Sequence, residues 1–155
     1  MFGINDRLLD TAIVMIERTH RVKHLATDEL AAMLAGSKPP LLFDIRTAEE
    51  YEKSHLETAI RLDPDTSSDA FAAHYVSLIT GRDLVFYCSV GQRSSELFER
   101  VEGVCEKAKA KSFRNLRGGI FRWYNEGKPV VNALGMTDDI HEHDPIWGMM
   151  LELRQ

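Results

Sequence analysis

Leu84-Val85-Phe86-Tyr87-Cys88-Ser89-Val90-Gly91-Gln92-Arg93-Ser94-Ser95 passes from an apolar stretch through a thiol and a short polar turn towards a helix. Four apolar residues in a row, bounded in this way, read as a buried strand. From Glu96 to Val104 the apolar residues Leu97, Val101 and Val104 recur at helical spacing, so the intervening residues must reverse the chain tightly. The backbone N–H groups of that turn then crowd around Cys88. Unpaired amides at a helix start carry partial positive charge and favour an anion. A thiolate is an anion, and the layout therefore predicts a reactive sulfur rather than the small buried hydrophobe that an intracellular Cys usually is. Gly91 gives the turn the dihedral freedom it needs.

Outward from this stretch, strand-like and helix-like segments alternate. Leu8, Leu9, Ala12, Ile13 and Ile16 share one helical face within residues 1–20, which predicts an amphipathic helix packed on the domain or serving as a dimer face. Val22 to Leu25 is short and β-like, and Thr27 is placed to cap a helix over Asp28 to Leu34 that ends at Gly36. Leu41-Leu42-Phe43-Asp44-Ile45 is a second buried-strand run, followed by a helix from about Thr47 with Glu49 and Glu50 in its first turn. Ala59 to Leu62 reads as a strand, Pro64, Asp65, Ser67 and Ser68 as a turn, and Phe71, Tyr75, Leu78 and Ile79 as a helical face. Beyond the Cys88 turn come a strand at Ser112–Leu116 and a helix over Ile120–Gly127. Strands alternating with helices imply an α/β fold with a mostly parallel sheet and helices on both faces, its site beyond the carboxyl ends of the strands. The tail from Asp138 to Gln155 carries Ile146, Trp147, Met150, Leu151 and Leu153, and is expected to pack back on the domain with a short helix opened by Asp144-Pro145.

The whole chain sets bounds on function. Its 155 residues suit a single domain, 1–155, with a sizeable core. A formal charge of −5 leaves no basic stripe for nucleic acid or an anionic membrane. Two cysteines at this spacing build neither a disulfide framework nor a zinc site, and no apolar run is long enough to span a bilayer. The expectation is a soluble cytoplasmic protein in a reducing compartment, with no cofactor and no metal.

Three separated motifs make the chain resemble the rhodanese family, in particular its stand-alone single-domain sulfurtransferases. Cys88-Ser89-Val90-Gly91-Gln92-Arg93-Ser94 is similar to the family's active loop, Cys-Arg-x-Gly-x-Arg followed by Ser or Thr. Asp44-Ile45-Arg46 with Glu49-Glu50-Tyr51, His55-Leu56 and Ala59-Ile60 resembles its first signature. Asn115-Leu116-Arg117-Gly118-Gly119-Ile120 with Trp123 and Gly127-Lys128-Pro129-Val130 resembles its closing one. The likeness runs over about residues 22–131, with an N-terminal helix (1–20) before it and a packed tail (132–155) after it. It implies a rhodanese-like three-layer sandwich, and transfer of a sulfane sulfur from thiosulfate or a persulfide donor to cyanide or a thiol through a Cys88 persulfide. A protein persulfide is a further partner of that chemistry. Two positions depart from the pattern: Ser89 stands in place of the usual Arg, which removes one cation from the pocket, and Thr58 stands in place of a Gly.

On this resemblance Cys88 is the nucleophile, and Ser89, Val90, Gly91, Gln92, Arg93 and Ser94 bind substrate, their amides stabilising thiolate and persulfide. Arg93 offers donors to an incoming oxyanion, or else pairs with Glu96 at the helix start. Ser94 or Ser95 is expected to cap the helix. Asp44 and Arg46 read as acid–base partners or, with better support, as an ion pair that fixes the loop. His55 reads as a backbone-bonded turn residue, Gly118-Gly119 as a close-packing pair and Trp123 as core. Cys105 reads as a buried helix residue rather than a resolving thiol, and His141-x-His143 as solvated rather than metal-ligating. Two other classes stay open: a rhodanese-like relay or interaction module without free turnover, and a Cys-dependent phosphatase or arsenate reductase. The phosphatase loop needs five residues between Cys and Arg to span a phosphoryl group, whereas four separate Cys88 from Arg93.

Overall fold

The structure is a computed structural model that describes residues 3–154. Five strands form one parallel sheet in the order β1-β5-β4-β2-β3: β1 (His24–Leu25), β2 (Leu41–Asp44), β3 (Ile60–Arg61), β4 (Asp83–Tyr87) and β5 (Ser112–Leu116). The central pair is in register from Leu41 opposite Leu84 to Asp44 opposite Tyr87. Apart from Asp44 at the end of β2 and Asp83 at the start of β4, both strands are apolar, because both faces of the sheet are covered. Side chains alternate across it: Leu42, Val85 and Tyr87 enter one core, while Phe43, Leu84, Phe86 and Cys88 enter the other.

The first core is covered by α1 (Ile4–Thr19), α2 (Thr27–Leu34) and α6 (Gly119–Asn125), through Leu9, Ile13, Leu30, Ile120 and Phe121. The second is covered by α4 (Ser68–Ile79) and α5 (Gln92–Lys107), through Phe71, Ile79, Leu97, Phe98 and Val101. The short α3 (Ala48–Lys53) follows β2. Its cap is reciprocal: Glu50 N–H donates to Thr47 Oγ1, and Thr47 N–H and Oγ1–H donate to the Glu50 carboxylate.

Asp144 caps α7 (Pro145–Gly148) by accepting from Trp147 N–H at 2.8 Å, Leu151 is buried, and Asn5 Nδ2 donates to the Leu151 carbonyl at 2.9 Å. Ile146 and Leu153 stay exposed. Three local readings need correction. An antiparallel hairpin, β6 (Val130–Asn132) and β7 (Gly135–Thr137), leads into the tail where sequence periodicity gives no strand. Thr27 is the first helical residue of α2 rather than its cap; Ala26 holds the cap position, where its N–H donates to Glu29 Oε1. The helix after Cys88 begins at Gln92, a full turn earlier than its apolar spacing shows, because its first turn is polar.

Candidate active site

Cys88 follows the last residue of β4, and three residues later Gly91, at φ 118°, turns the chain into α5. That positive φ makes Gly91 the helix cap, so neither Ser94 nor Ser95 fills the capping role that their residue type suggests. Both lie buried in the first turn. The turn aims two amides and one hydroxyl at one sulfur: Gly91 N–H at 3.2 Å, Ser94 N–H at 3.5 Å and Ser94 Oγ at 3.4 Å from Cys88 Sγ. The Ser94 amide is one of the N–H groups that a helix start leaves without an intrahelical carbonyl, and sulfur takes its place as acceptor.

The loop is held from behind by the first turn of α6. Ile120 N–H donates to the Cys88 carbonyl at 2.9 Å and Phe121 N–H to the Ser89 carbonyl at 3.0 Å. This approach needs Gly119: a Cβ there would stand 2.5 Å from both carbonyl oxygens, on a backbone already at φ 60°. The Gly118-Gly119 pair thus does pack closely, and what it packs against is the Cys88 loop.

On the open side, Glu50 reaches across from α3. Arg93 lays both ends of its guanidinium on the Glu50 carboxylate, Nη1 to Oε1 at 2.7 Å and Nη2 to Oε2 at 2.9 Å, and Nη2 also donates to Ser89 Oγ at 2.9 Å. Ser89 Oγ in turn donates to Glu50 Oε2 at 3.2 Å. Glu96 is not the partner of Arg93; its carboxylate accepts from Gln92 instead. Burial alone would raise the Glu50 carboxyl, but the Arg93 fork, helped by Thr47 and Arg46, brings it down from 4.5 to about 2. Burial likewise works against the Arg93 charge, and the same carboxylate more than restores it. The position that looks like the family's free cation is therefore charge-neutral as a pair.

Beneath this pair lies a second one. Arg46 Nε and Nη2 donate to the two Asp44 oxygens at 2.8 and 2.7 Å, with no exposure of either residue, and Nη2 also reaches the Ser54 carbonyl. Tyr87 donates its phenol to Asp44 Oδ2 at 2.7 Å and accepts from Leu56 N–H at 3.1 Å. Burial first, and Asp44 next, push the Tyr87 phenol well above its usual value, so it stays a donor. Asp44 and Arg46 thus tie the end of β2 to β4 and to the turn after α3. His55 donates from Nδ1 to the Tyr51 carbonyl, and its backbone bridges Val131. Trp123 is core, its indole donating to the Pro129 carbonyl.

Sequence spacing did not reveal four contributors: Glu50 as the partner of Arg93, Asn115 and His24 behind Ser94, and the tail. Asn115 Oδ1 stands 2.5 Å from Ser94 Oγ, and Asn115 Nδ2 stands 3.3 Å from His24 Nδ1. His143 Nδ1 lies 3.6 Å from Glu50 Oε2 and His141 Nε2 3.6 Å from Glu49 Oε1; His143 is exposed and His141 half-buried, so the pair stands at the solvent edge of α3. A cleft of about 610 Å³ between α3 and the tail is lined by Glu49, Glu52, His141, Glu142 and His143. Val90 is buried beside the loop, and Gln92 points out to His20 and Glu96. Cys105 is buried thirteen residues along α5 from Gln92, with its thiol pushed up to about 12 by burial and by Glu102 and Glu106. No described helix is long and apolar enough to cross a membrane.

The family described as "Rhodanese-like domain" matches residues 26–126. A protein named sulfurtransferase from Allochromatium vinosum is 28% identical over 114 residues, 74% of this chain and 99% of that protein. A rhodanese-like domain protein from Staphylococcus aureus superposes with a TM-score of 0.51 at 26% identity, over 65% of this chain and 90% of that one. A thiosulfate sulfurtransferase from Pseudomonas aeruginosa shares the fold, with a TM-score of 0.60 at 16% identity over 84% of this chain and 24% of its own.

Proposed function

The chain belongs to the rhodanese-like domain family, and from that premise we propose that it is a sulfurtransferase carrying a sulfane sulfur on Cys88. The observation that carries the reading is the pair of amides and the one hydroxyl gathered on Cys88 Sγ at the junction of β4 and α5. In the first step the Cys88 thiolate attacks the outer sulfur of thiosulfate or of a persulfide R–S–SH. A Cys88 S–S bond forms, the donor's own bond to that sulfur breaks, and sulfite or R–S⁻ leaves with the electron pair. In the second step cyanide or an acceptor thiol attacks the outer sulfur of the persulfide, and the Cys88 thiolate returns as leaving group. No net oxidation occurs in the cycle, so it needs no cofactor.

The loop residues take distinct parts in this reading. Gly91 and Ser94 supply the amides that hold the anion, an arrangement that costs no reorganisation during reaction. Ser89, Val90 and Gln92 form the wall of the loop. Arg93, locked to Glu50, shapes the mouth more than it attracts charge. With Ser89 in place of a second cation and acidic side chains along the neighbouring cleft, a persulfide donor suits the site better than doubly charged thiosulfate. Sulfur transfer is also favoured over phosphoryl transfer, because the four residues between Cys88 and Arg93 leave a short loop and Arg93 is engaged by Glu50. We take residues 1–155 as one domain, since side chains of α1 and the tail complete the first core.

A relay that passes sulfur between two dedicated proteins has one observation in its favour: Cys88 has no exposed surface, which suits a partner that opens the mouth on docking. Steady-state transfer from a small persulfide, such as that of glutathione, to cyanide separates the two. Thiocyanate produced over many turnovers supports the enzyme; uptake of one sulfur with no release to a small acceptor supports the relay. Failure of the protein to take sulfur from thiosulfate and from persulfides alike overturns both.

A further inference from the structure

Behind Cys88 the polar contacts form a single file that ends at a half-buried histidine. Cys88 Sγ lies 3.4 Å from Ser94 Oγ, Ser94 Oγ lies 2.5 Å from Asn115 Oδ1, and Asn115 Nδ2 lies 3.3 Å from His24 Nδ1. Cys88, Ser94 and Asn115 are buried, so their side chains must find hydrogen-bond partners inside the protein rather than in water. A hydroxyl has one proton to give. Ser94 therefore donates to Asn115 or to Cys88, never to both.

We propose that His24 is a positioning residue for Cys88, its ring deciding through the Asn115 amide which way the Ser94 hydroxyl points. A neutral ring accepting at Nδ1 holds Asn115 with its NH2 towards His24 and Oδ1 towards Ser94. The Ser94 proton then goes to Asn115, and the Cys88 S–H points to the freed lone pair of Ser94 Oγ. A protonated ring carries N–H on both nitrogens and cannot accept. The amide turns over, Oδ1 accepts from His24, the NH2 group donates to Ser94 Oγ, and the Ser94 proton is delivered to Cys88 sulfur, where it stabilises a thiolate or a persulfide anion. Only a proton from solvent moves onto His24, and the rest is a change of hydrogen-bond direction.

The charged groups facing His24 are Glu17 of α1 and Arg117 just beyond β5, themselves paired Nε to Oε1 at 2.5 Å. Burial lowers the His24 midpoint from its ordinary value, with Glu17 working upward and Arg117 downward, so the reversal falls below the usual imidazole range.

The inference rests on Cys88 being the reacting sulfur, but its test reads the thiol and not turnover, so a failure of sulfur transfer and a failure of this idea are distinguishable. The rate of Cys88 alkylation by iodoacetamide is measured on the full chain from about pH 5 to about pH 9, with peptide mass analysis to separate Cys88 from Cys105. Below the His24 midpoint the wild-type thiolate gains a hydrogen bond, so the profile should depart about fivefold from a simple one-proton curve. That departure should vanish in His24→Gln and in Ser94→Ala. The second readout needs no variant: the wild-type His24 ring is titrated by NMR before and after Cys88 is alkylated. Linkage is reciprocal, and alkylation removes the S–H that supports the neutral arrangement, so the His24 midpoint should rise. Superimposable profiles in wild type and His24→Gln, or an unmoved His24 midpoint, overturn the proposal.

Discussion

Cys88 and Cys105 differ in almost nothing except what surrounds them. Both are free thiols without exposed surface, both sit in the same hydrophobic core, and both belong to the neighbourhood of α5. Cys88 stands just before the start of that helix, where N–H groups lack partners, and Cys105 in its last turn, where carbonyls do. The helix dipole favours an anion at the first place and opposes it at the second. Glu102 and Glu106 add to the opposition at Cys105, whereas Gly91 and Ser94 direct donors at Cys88. Burial by itself thus says nothing about reactivity here. Donors and charge around the sulfur decide it.

The largest expected effect breaks the pair apart. Cys88→Ser should abolish sulfur transfer with little change in melting temperature, while Cys105→Ser should keep activity within about twofold. Loss of transfer in both variants would mean that the two thiols act together. Next in size is Gly119→Ala, which puts a methyl group into the Cys88 and Ser89 carbonyls on a left-handed backbone. It should destabilise by at least about 2–3 kcal/mol in denaturant unfolding and lower transfer more than tenfold, because it moves the loop that distinguishes Cys88 from Cys105.

Glu50 gives the pH dependence. Its folded carboxyl lies at about 2 against an ordinary 4.5, so the group is deprotonated more readily in the native state. The stability it contributes is present above pH 4.5 and is lost as pH falls from 4.5 towards 2, on the order of 2–3 kcal/mol. Glu50→Gln should flatten that part of the acid-unfolding curve and lower stability at neutral pH, since Arg93 is left buried without its partner. At the same time the freed guanidinium should lower the KM for thiosulfate, as should Ser89→Arg. A thiosulfate KM unchanged by either substitution would show that charge at the mouth does not select the donor. The smallest effect is at Thr58, a β-branched residue at φ 69°. Thr58→Gly should relieve left-handed strain against a gain in unfolded-chain entropy, for a net rise of roughly 0.5–1 kcal/mol, or about 2 °C in Tm, with activity unchanged.

The sheet and the loop were legible because their signals are local. Apolar runs at Leu41–Ile45 and Leu84–Tyr87 give buried strands, and the Cys88 turn lies within one stretch of sequence. What escaped depends on residues brought together from afar. Glu50 and Arg93 are 43 residues apart, and Glu50 in the first turn of α3 reads as an ordinary dipole-favoured acid. Asn115 and His24 are 91 apart and meet only because β1 pairs with β5. The β6–β7 hairpin is hidden by its brevity and by exposed Leu134 and Met136, which give no alternation to read. Gly91 rather than Ser94 caps α5 because Ser94 is turned towards Asn115 and the Cys88 sulfur.

The most direct test of the difference between the two cysteines is the mass of the intact protein after incubation with glutathione persulfide and, separately, with thiosulfate, followed by peptide mapping under non-reducing conditions. The structure predicts a gain of one sulfur atom, carried by Cys88 and released on adding cyanide, with Cys105 unmodified. Sulfur found on Cys105, or no gain from either donor in folded protein, would contradict the assignment of Cys88 as the sulfur-carrying residue.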